Sequence, residues 1–330
     1  MVSIRKGICM ASIDRWLTAV AAVILLPISP ITIHAQISAS QVIQRLGYPP
    51  GSRLLIIHGD DFGVAHSVDR ATEEALQKGW ITSASIMVPC PWFPEAAQFA
   101  REHPEMDLGL HLTLTSEWIP YRWGPVSIQP APSLWGKDGY LPPSEEEAAA
   151  QDTPADVARE IRAQIIKAQA AGVQFSHFDS HMGTLFQTPE LFRLYQQAGN
   201  DNHIPTFIAT KNFGQDGKGF SIMPDSVVLS GEFQMQPGVP LDQWLATYER
   251  ALAALGSGLY QITVHLGYND EELRAITSGK PDWWDAPWRE ADMKVVSSPD
   301  FRQFLREQGF VLVTWRQIAN AEHFASTTKP

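Results

Sequence analysis

Carboxylate and imidazole side chains follow four of the predicted strands at the point where each strand ends. Seven residues share this placement: Asp60 and Asp61 on the first strand, His111 on the third, His177, Asp179 and His181 on the fourth, and His265 on the seventh. Each residue alone has a simpler explanation, since an Asp after a strand is commonly a turn residue and a single His is commonly a core residue. Their convergence on one rim instead predicts a hydrolytic divalent-metal site.

The adjacent carboxylates Asp60 and Asp61 suit two different tasks in such a site. One can bind the metal while its neighbour takes a proton from the attacking water. A His across the cleft can then protonate the leaving group. Because both carboxylates fall at one turn, the sequence leaves open which is the ligand and which is the base.

Hydrophobic periodicity predicts an alternation of strands and helices that positions these residues. The predicted strands cover residues 53–58, 82–88, 106–113, 174–180, 204–209, 226–229, 260–265 and 310–314. The predicted helices cover residues 67–78, 94–102, 153–171, 189–198, 241–255 and 299–308, with Thr153 as the N-cap of the third.

This alternation implies a parallel sheet covered by helices. Seven or eight βα units without a break in composition favour a distorted, closed or nearly closed (β/α) TIM-like barrel with loop insertions, formed as a single domain over residues 36–330. An open doubly wound sheet is the alternative. The run 59–63 after the first strand, Gly-Asp-Asp-Phe-Gly, does not fit a dinucleotide-binding loop.

Two long insertions, residues 115–143 and 267–294, leave strands that carry candidate site residues and are rich in tryptophan. Aromatic faces stack on sugar rings, so both loops are candidates for substrate binding. We expect at least half of their six tryptophans only to pack the loops, and we favour an ion pair of Arg289 with Asp292 that closes the second loop. The candidate substrate-binding residues are Trp118, Trp123, Trp283, Trp284, Trp288 and Arg289.

The N-terminal segment has the composition of a secretory signal peptide. A charged region is followed by an apolar run from Trp16 to Leu26, and Pro27 ends that run short of the roughly 20 residues that span a membrane. We therefore expect residues 1–35 to be removed, with export to the periplasm or the medium and no stable membrane span. An uncleaved anchor is the alternative. Cys90 then stands alone, so no intramolecular disulfide is expected.

The net charge argues against nucleic acid as a partner. The 330 residues include 25 Lys and Arg against 36 Asp and Glu, a net charge of -11. Nucleic-acid surfaces need clustered cations. The sequence leaves the oligomeric state open, a homodimer included.

Five segments, in order, resemble motifs of the YdjC/ChbG-like carbohydrate (polysaccharide) deacetylases, and the resemblance spans roughly residues 53–317. The segments are Ile-Ile-His-Gly-Asp-Asp-Phe-Gly at 56–63, the second strand at 80–88, Leu-Gly-Leu-His-Leu-Thr-Leu-Thr at 108–115, His-Phe-Asp-Ser-His at 177–181 and Val-His-Leu-Gly-Tyr at 264–268. Together these motifs are specific, although any one of them would be weak.

The resemblance implies a distorted (β/α) barrel, one divalent ion and removal of N-acetyl groups from an amino-sugar oligo- or polysaccharide. Carried over by position, it implies Asp61, His111 and His181 as metal ligands, Asp60 as the base and His265 as the acid. His177 and Asp179 are then expected to lie behind the ligands and to orient His181 or the loop, and a structural role for His177 is about equally favoured. Two His and one carboxylate suit Zn²⁺, Mg²⁺, Mn²⁺ or Ni²⁺.

Three positions depart from the family pattern, and they bear on the substrate more than on the metal. His58 stands where the family has Asn, Gly183 replaces a His two places after a metal-binding His, and Leu266 replaces the Pro after His265. Two other functions stay open: an esterase or phosphoesterase that uses the same metal site, and a saccharide-binding protein without turnover. The Asp60–Asp61 pair argues against the last, because a binding module needs no base beside a ligand.

Overall fold

The residues described in the computed structural model are 37–208, 219–224, 226–279 and 283–327, the last six of these by backbone alone. The predicted signal peptide and the predicted mature start at Gln36 lie outside the described residues. Among the described residues, no helix is both long and apolar enough to cross a membrane.

Within the described residues, seven strands form one sheet, and every pair of neighbours in it is parallel. The strands are β1 (Arg53–Phe62), β2 (Ser83–Ile86), β3 (Leu108–Leu112), β4 (Phe178–Ser180), β5 (Gly231–Gln234), β6 (Gly258–Val264) and β7 (Phe310–Leu312). Their order is β4-β3-β2-β1-β6-β5, and β7 pairs with the start of β1. The predicted fold, a distorted (β/α) barrel of parallel strands, is confirmed.

Between β4 and β5, where two further strands were predicted, the described residues 204–208 and 226–229 form no regular ladder. There Phe207 N donates to Phe178 O (2.8 Å) and Leu229 N donates to Ile208 O (3.2 Å), but only isolated bridges form. Pro205 has no N–H to donate, which weakens any ladder at the first of these segments. The regular pairing falls instead on β5, a few residues after the second predicted strand.

Helices cover the outside of the sheet. One of them lies inside the second insertion, and another begins in it and ends three residues beyond it. The helices are α1 (Ala39–Arg45), α2 (His66–Gln77), α3 (Phe93–Glu102), α4 (Glu145–Gln151), α5 (Pro154–Ala170), α6 (Pro189–Asn202), α7 (Trp244–Ala253), α8 (Glu271–Ile276), α9 (Ala286–Ser297), α10 (Pro299–Glu307) and α11 (Trp315–Thr327). The sequence analysis treated the regions of α8 and α9 as loop, because each helix is too short or too evenly mixed in composition to show a clear apolar stripe.

Helix α5 anchors the first insertion against the sheet. It begins where predicted, and the side chain of Thr153 accepts from Asp156 N. The buried carboxylate of Glu160 then accepts hydrogen bonds from the backbone N–H groups of Val126 and Ser127, both at 2.9 Å. These two bonds fix the middle of the insertion, which begins shortly after β3 and its site residue His111.

Candidate active site

A distortion at the end of β1 places the two adjacent carboxylates. The register between β1 and β2 shifts between Gly59 and Phe62, and Asp61 has a left-handed backbone with φ of 68°. A non-glycine residue in this conformation costs about 1–3 kcal/mol and is kept where the surrounding structure and the function require it. Without this kink, Asp60 and Asp61 would point to opposite faces of the strand.

Three side chains from three strands meet beside this kink. Asp61 Oδ1 lies 3.5 Å from His111 Nε2 and 3.4 Å from His181 Nδ1, and the two imidazole nitrogens are 3.2 Å apart. All three residues are buried. Ligand atoms about 2.0–2.1 Å from a tetrahedral Zn²⁺ ion lie about 3.3 Å from one another, so this spacing fits one ion.

The buried oxygen Asp61 Oδ1 has no hydrogen-bond partner among the described residues, which is the condition of an atom that ligates an ion. Burial raises the pKa of Asp61. The Arg289 guanidinium and the imidazoles of His111 and His181 outweigh that effect and hold this pKa well below its usual range. The residues therefore offer an ionised carboxylate and two imidazoles, a donor set that fits a divalent metal.

The outer nitrogen of each imidazole contacts a carboxylate. His111 Nδ1 donates to Asp179 Oδ1 (2.7 Å), and His181 Nε2 donates to Glu117 Oε2 (3.0 Å). Because a carboxylate can only accept, these bonds leave His111 Nε2 and His181 Nδ1 free of a proton in the neutral rings. Such contacts orient metal-binding histidines.

Two of these contacts differ from the sequence prediction. Asp179 was expected to orient His181 or the loop. It orients His111 instead, because its side chain turns toward the neighbouring strand β3. The partner of His181 is Glu117, which the sequence analysis missed. The available signal was a carboxylate only a few residues after β3, at the start of the insertion.

His58 links Asp179 to the other carboxylate of the pair. Its Nε2 lies 2.9 Å from Asp179 Oδ2, 3.1 Å from Ser85 Oγ and 3.2 Å from Asp60 Oδ1. Burial lowers the pKa of His58, but Asp179 and Asp60 outweigh burial and raise it to about 9. The His that replaces the family's Asn is therefore a buried cation at neutral pH, held between two carboxylates.

Asp60 and His265 lie beside the three converging atoms. Asp60 Oδ2 is 3.7 Å from His111 Nε2 and 3.9 Å from His265 Nε2. Burial lowers the pKa of His265 to about 4, although Asp61 and Asp60 oppose the shift. His265 is therefore neutral at pH 7 and must gain a proton within the site before it can act as an acid.

Arg289 belongs to the site rather than to a loop-closing ion pair with Asp292. Its Nη2 donates to Asp61 Oδ2 (2.6 Å), and its Nε donates to the carbonyl oxygen of Trp284 (3.0 Å). The predicted pairing with Asp292 was wrong, because Asp292 instead accepts from Tyr248 Oη (2.6 Å) and from His265 N (2.9 Å). Asp292 thereby holds the backbone of His265.

His177 lies behind the site and orients neither His181 nor the loop. Its Nδ1 is 2.9 Å from Ser176 Oγ, and its ring stacks on Trp315 with the ring centres 5.4 Å apart. The ring also packs directly on Gly109, so closely that a Cβ at that position would come 2.4 Å from His177 Nε2. His177 is therefore a packed core residue, the structural role that was held to be about equally favoured.

The tryptophans of the two insertions divide between packing and the cavity. Trp118, Trp123 and Trp288 are each at most 3% exposed and do not line the cavity, because their large apolar rings fill the interior of the loops. Trp283 and Trp284 line the cavity. The rings of Trp284 and His265 meet edge to face, with their centres 5.9 Å apart. Substrate contact thus stays a prediction for Trp283, Trp284 and Arg289.

The site opens into a cavity of about 840 Å³. Its lining includes Asp60, Asp61, His111, Glu117, Asp179, His181, His265, Trp283, Trp284 and Arg289, together with polar residues of β5 and β6. The arrangement offers a candidate metal centre, a second carboxylate and a titratable imidazole, all of which line one cavity. Those are the parts needed for hydrolysis of an acyl group.

Known proteins are similar to this chain over most of its length. Residues 54–307 match the family model described as YdjC-like protein. A carbohydrate deacetylase of Thermus thermophilus is 34% identical over 85% of this chain and 98% of its own length. A carbohydrate deacetylase of Brevibacillus brevis is 27% identical over 80% of this chain and 99% of its own length.

Among solved structures, a protein of Enterococcus faecalis with a proposed role in cellobiose-phosphate cleavage has a similar fold. The TM-score is 0.68 at 23% sequence identity, and the match covers 81% of this chain and 99% of that one. At this identity the likeness supports the barrel architecture alone.

Proposed function

The chain belongs to the YdjC-like protein family, and from this membership and the geometry of the site we propose that it is a metal-dependent carbohydrate deacetylase. The proposed reaction is hydrolysis of the N-acetyl group of an amino sugar within an oligo- or polysaccharide. One observation carries the metal dependence: Asp61 Oδ1, His111 Nε2 and His181 Nδ1 converge within 3.5 Å of one another. The names of the relatives support the deacetylase activity.

Asp61, His111 and His181 would hold the ion. A divalent ion there supplies Lewis acidity, which polarises an amide carbonyl and acidifies water. Two imidazoles and one carboxylate suit Zn²⁺, and Mg²⁺, Mn²⁺ and Ni²⁺ also accept such ligands. Asp179 and Glu117 keep the two imidazoles in the orientation and tautomer that ligation needs.

Asp60 is the proposed general base. It is adjacent to the converging atoms but is not one of them, and its Oδ2 faces both His111 and His265. His58 Nε2 lies 3.2 Å from Asp60 Oδ1 and positions the carboxylate, whose other oxygen can accept a proton from the attacking water.

His265 is the proposed acid, which protonates the departing amine. Because its pKa is about 4, it is neutral before the reaction starts. The proton that Asp60 accepts can pass to His265 Nε2, 3.9 Å from Asp60 Oδ2, and from there to the amine nitrogen. In this scheme one proton moves from water through Asp60 and His265 to the leaving group, and the site returns to its starting charge.

Product release from a panel of sugars tests the proposal. The panel holds N-acetylated amino sugars of several lengths, O-acetylated sugars and sugar phosphates, with acetate and phosphate both measured. Acetate from the N-acetylated sugars is the expected result. Release from only the O-acetylated sugars or only the phosphates would identify an esterase or a phosphoesterase, and binding without any release would identify a saccharide-binding protein.

The proposal extends to export. The supporting observation is the N-terminal sequence, in which a charged region precedes an apolar run that Pro27 ends. N-terminal sequencing of protein from the periplasm or the medium should find a start near Gln36. An intact Met1 in the membrane fraction would instead indicate an anchor.

A further inference from the structure

The two carboxylate oxygens of Asp61 have different surroundings. Oδ2 accepts a hydrogen bond from Arg289 Nη2 (2.6 Å). Oδ1 has no hydrogen-bond partner among the described residues, and it lies 3.5 Å from His111 Nε2 and 3.4 Å from His181 Nδ1. Asp61 is 3% exposed and Arg289 is 1% exposed, so water competes little with these contacts. One oxygen is thus engaged by a cation, and the other faces the two imidazoles.

The Arg289 guanidinium engages one oxygen only, although its shape allows two. Arginine frequently binds a carboxylate through two parallel N–H···O bonds. Here Arg289 Nη1 is buried and, like Asp61 Oδ1, has no hydrogen-bond partner within the described part of the chain. The ion pair therefore leaves Oδ1 free for a ligand, even though the same guanidinium has a second donor group.

Three contacts hold the Arg289 side chain in this arrangement. Its Nε donates to Trp284 O (3.0 Å), and its guanidinium carbon lies 5.4 Å from the centre of the Trp118 ring. Trp284 has a left-handed backbone with φ of 53°, which a non-glycine residue adopts only where the surrounding structure requires it. A Cβ on Gly267 would come 3.0 Å from Arg289 Cβ, so the side chain also packs closely on that backbone. Residues of both insertions therefore fix Arg289 against Asp61.

The number of oxygens that Asp61 offers decides how many positions around an ion stay open. With one oxygen from Asp61 and one nitrogen each from His111 and His181, the protein supplies three donor atoms. Catalytic zinc sites typically have three protein ligands and an open position for water or substrate. A second oxygen from Asp61 would fill a further position on the same ion. Ligation through one oxygen therefore suits hydrolysis, which needs an accessible ion.

We propose that Arg289 is a positioning residue that restricts Asp61 to a single ligand atom, Oδ1. By engaging Oδ2, Arg289 keeps open the position that a second carboxylate oxygen would occupy. The inference rests on the proposed metal dependence and deepens it, because a residue of the second insertion then controls how the metal ligand of β1 binds.

A crystal structure of the wild type loaded with Zn²⁺ tests this directly. Asp61 Oδ1 should lie about 2.0–2.2 Å from the ion, and Oδ2 should stay on Arg289. The variant Arg289→Met removes every donor of the side chain but keeps an unbranched apolar chain that can pack on Trp118. In this variant Asp61 should bind the ion through both oxygens. The visible absorption of bound Co²⁺ should then weaken relative to the wild type, because the coordination number rises by one.

Two control variants separate this role from loss of packing. Arg289→Lys keeps a cation that can donate to Asp61, and it should keep the wild-type Co²⁺ spectrum. Arg53→Met removes a guanidinium at the opposite end of β1, where its two Nη atoms donate to Gln308 O (2.8 Å) and Leu252 O (2.7 Å). It should lower the melting temperature and leave the Co²⁺ spectrum unchanged. If Arg289→Met does not fold, the zinc-loaded wild type still decides the question.

Acetate release from the panel of sugars, measured on the same samples, distinguishes failure of this inference from failure of the proposed function. Wild-type Asp61 bound through both oxygens, or a Co²⁺ spectrum that Arg289→Met leaves unchanged, would reject the role of Arg289 and leave the deacetylase function standing wherever acetate is released. Ligation through Oδ1 alone without acetate release would keep the role of Arg289 and reject that function. A protein that binds neither Zn²⁺ nor Co²⁺ would reject the metal dependence and this role together.

Discussion

Substitution of each carboxylate in the Asp60–Asp61 pair by Asn separates the base from the ligand. Asp60→Asn keeps the shape of the side chain but cannot accept a proton, so activity should fall by roughly 10²–10⁴, the usual contribution of a positioned general base. Asp60 is 14% exposed and lies outside the Asp61–His111–His181 group, so the variant should keep most of its metal affinity. His58 keeps its second carboxylate partner, Asp179, so the melting temperature should fall less than in Asp61→Asn.

Asp61→Asn should act differently because of what Asp61 contacts. It removes a charged ligand, and it leaves the buried Arg289 guanidinium without its ionised partner at 2.6 Å. Breaking a buried ion pair by removing one partner costs about 3–5 kcal/mol, so the melting temperature should fall together with metal affinity. Excess metal should restore part of the activity.

The assay for both variants is a metal titration that follows acetate release, with bound metal and thermal unfolding measured on the same samples. Asp201→Asn is the matched control, because it makes the same change at an exposed helical position that bonds only Gln197. If excess metal rescues Asp60→Asn rather than Asp61→Asn, the two roles must be exchanged. If neither variant loses turnover, the hydrolase assignment of this site is refuted.

Three further predictions concern the surroundings of the site. Glu117→Gln weakens the carboxylate contact that orients His181 and should lower metal affinity about 10–100-fold, measured by competition with a chelator. Burial raises the pKa of Asp292 to about 7, so the folded protein keeps a proton that the unfolded chain loses above a pH of about 4. The free energy of unfolding should therefore fall as the pH rises between those values, and urea unfolding of Asp292→Asn should lack this part of the slope. Gly109→Ala would force a Cβ to 2.4 Å from His177 Nε2, and calorimetry should show a loss of about 1–3 kcal/mol of stability.

The sequence was sufficient to predict where the metal-binding candidates would meet. Asp61, His111 and His181 each stand where a hydrophobic run stops, and parallel strands bring their carboxyl ends to one edge of the sheet. That argument needs only the identity and direction of the strands. The argument did not need the order in which the strands pair. In the structure, that order places β6, which His265 directly follows, beside β1.

Contacts made by the insertions could not be predicted in this way. Glu117 follows β3 in a stretch of chain that has no regular hydrophobic periodicity. Its position depends on tertiary contacts such as the hydrogen bonds by which Glu160 of α5 holds the middle of the loop. Trp118 and Trp283 look alike in sequence, yet the first is buried and the second is 44% exposed in the cavity. The difference comes from tertiary neighbours, which a local pattern does not specify.

The charges around the site give a reason why a divalent ion suits it. Among the described residues, the site brings together four carboxylates and two fixed cations: Asp60, Asp61, Glu117 and Asp179 against His58 and Arg289. Burial lowers the pKa of His111 and of His181, but the nearby carboxylates outweigh burial and raise both, so protonated imidazoles offset this charge when no ion is bound. Once both imidazoles give up those protons to ligate a metal, and with His265 neutral at its pKa of about 4, two negative charges remain. Uncompensated charge in a buried position is costly. One divalent cation held by Asp61, His111 and His181 would neutralise these two negative charges. The same count explains why a cationic His58 is compatible with the site. In its absence three negative charges would remain, and the two carboxylates that it contacts, Asp60 and Asp179, would repel each other across the position of its ring.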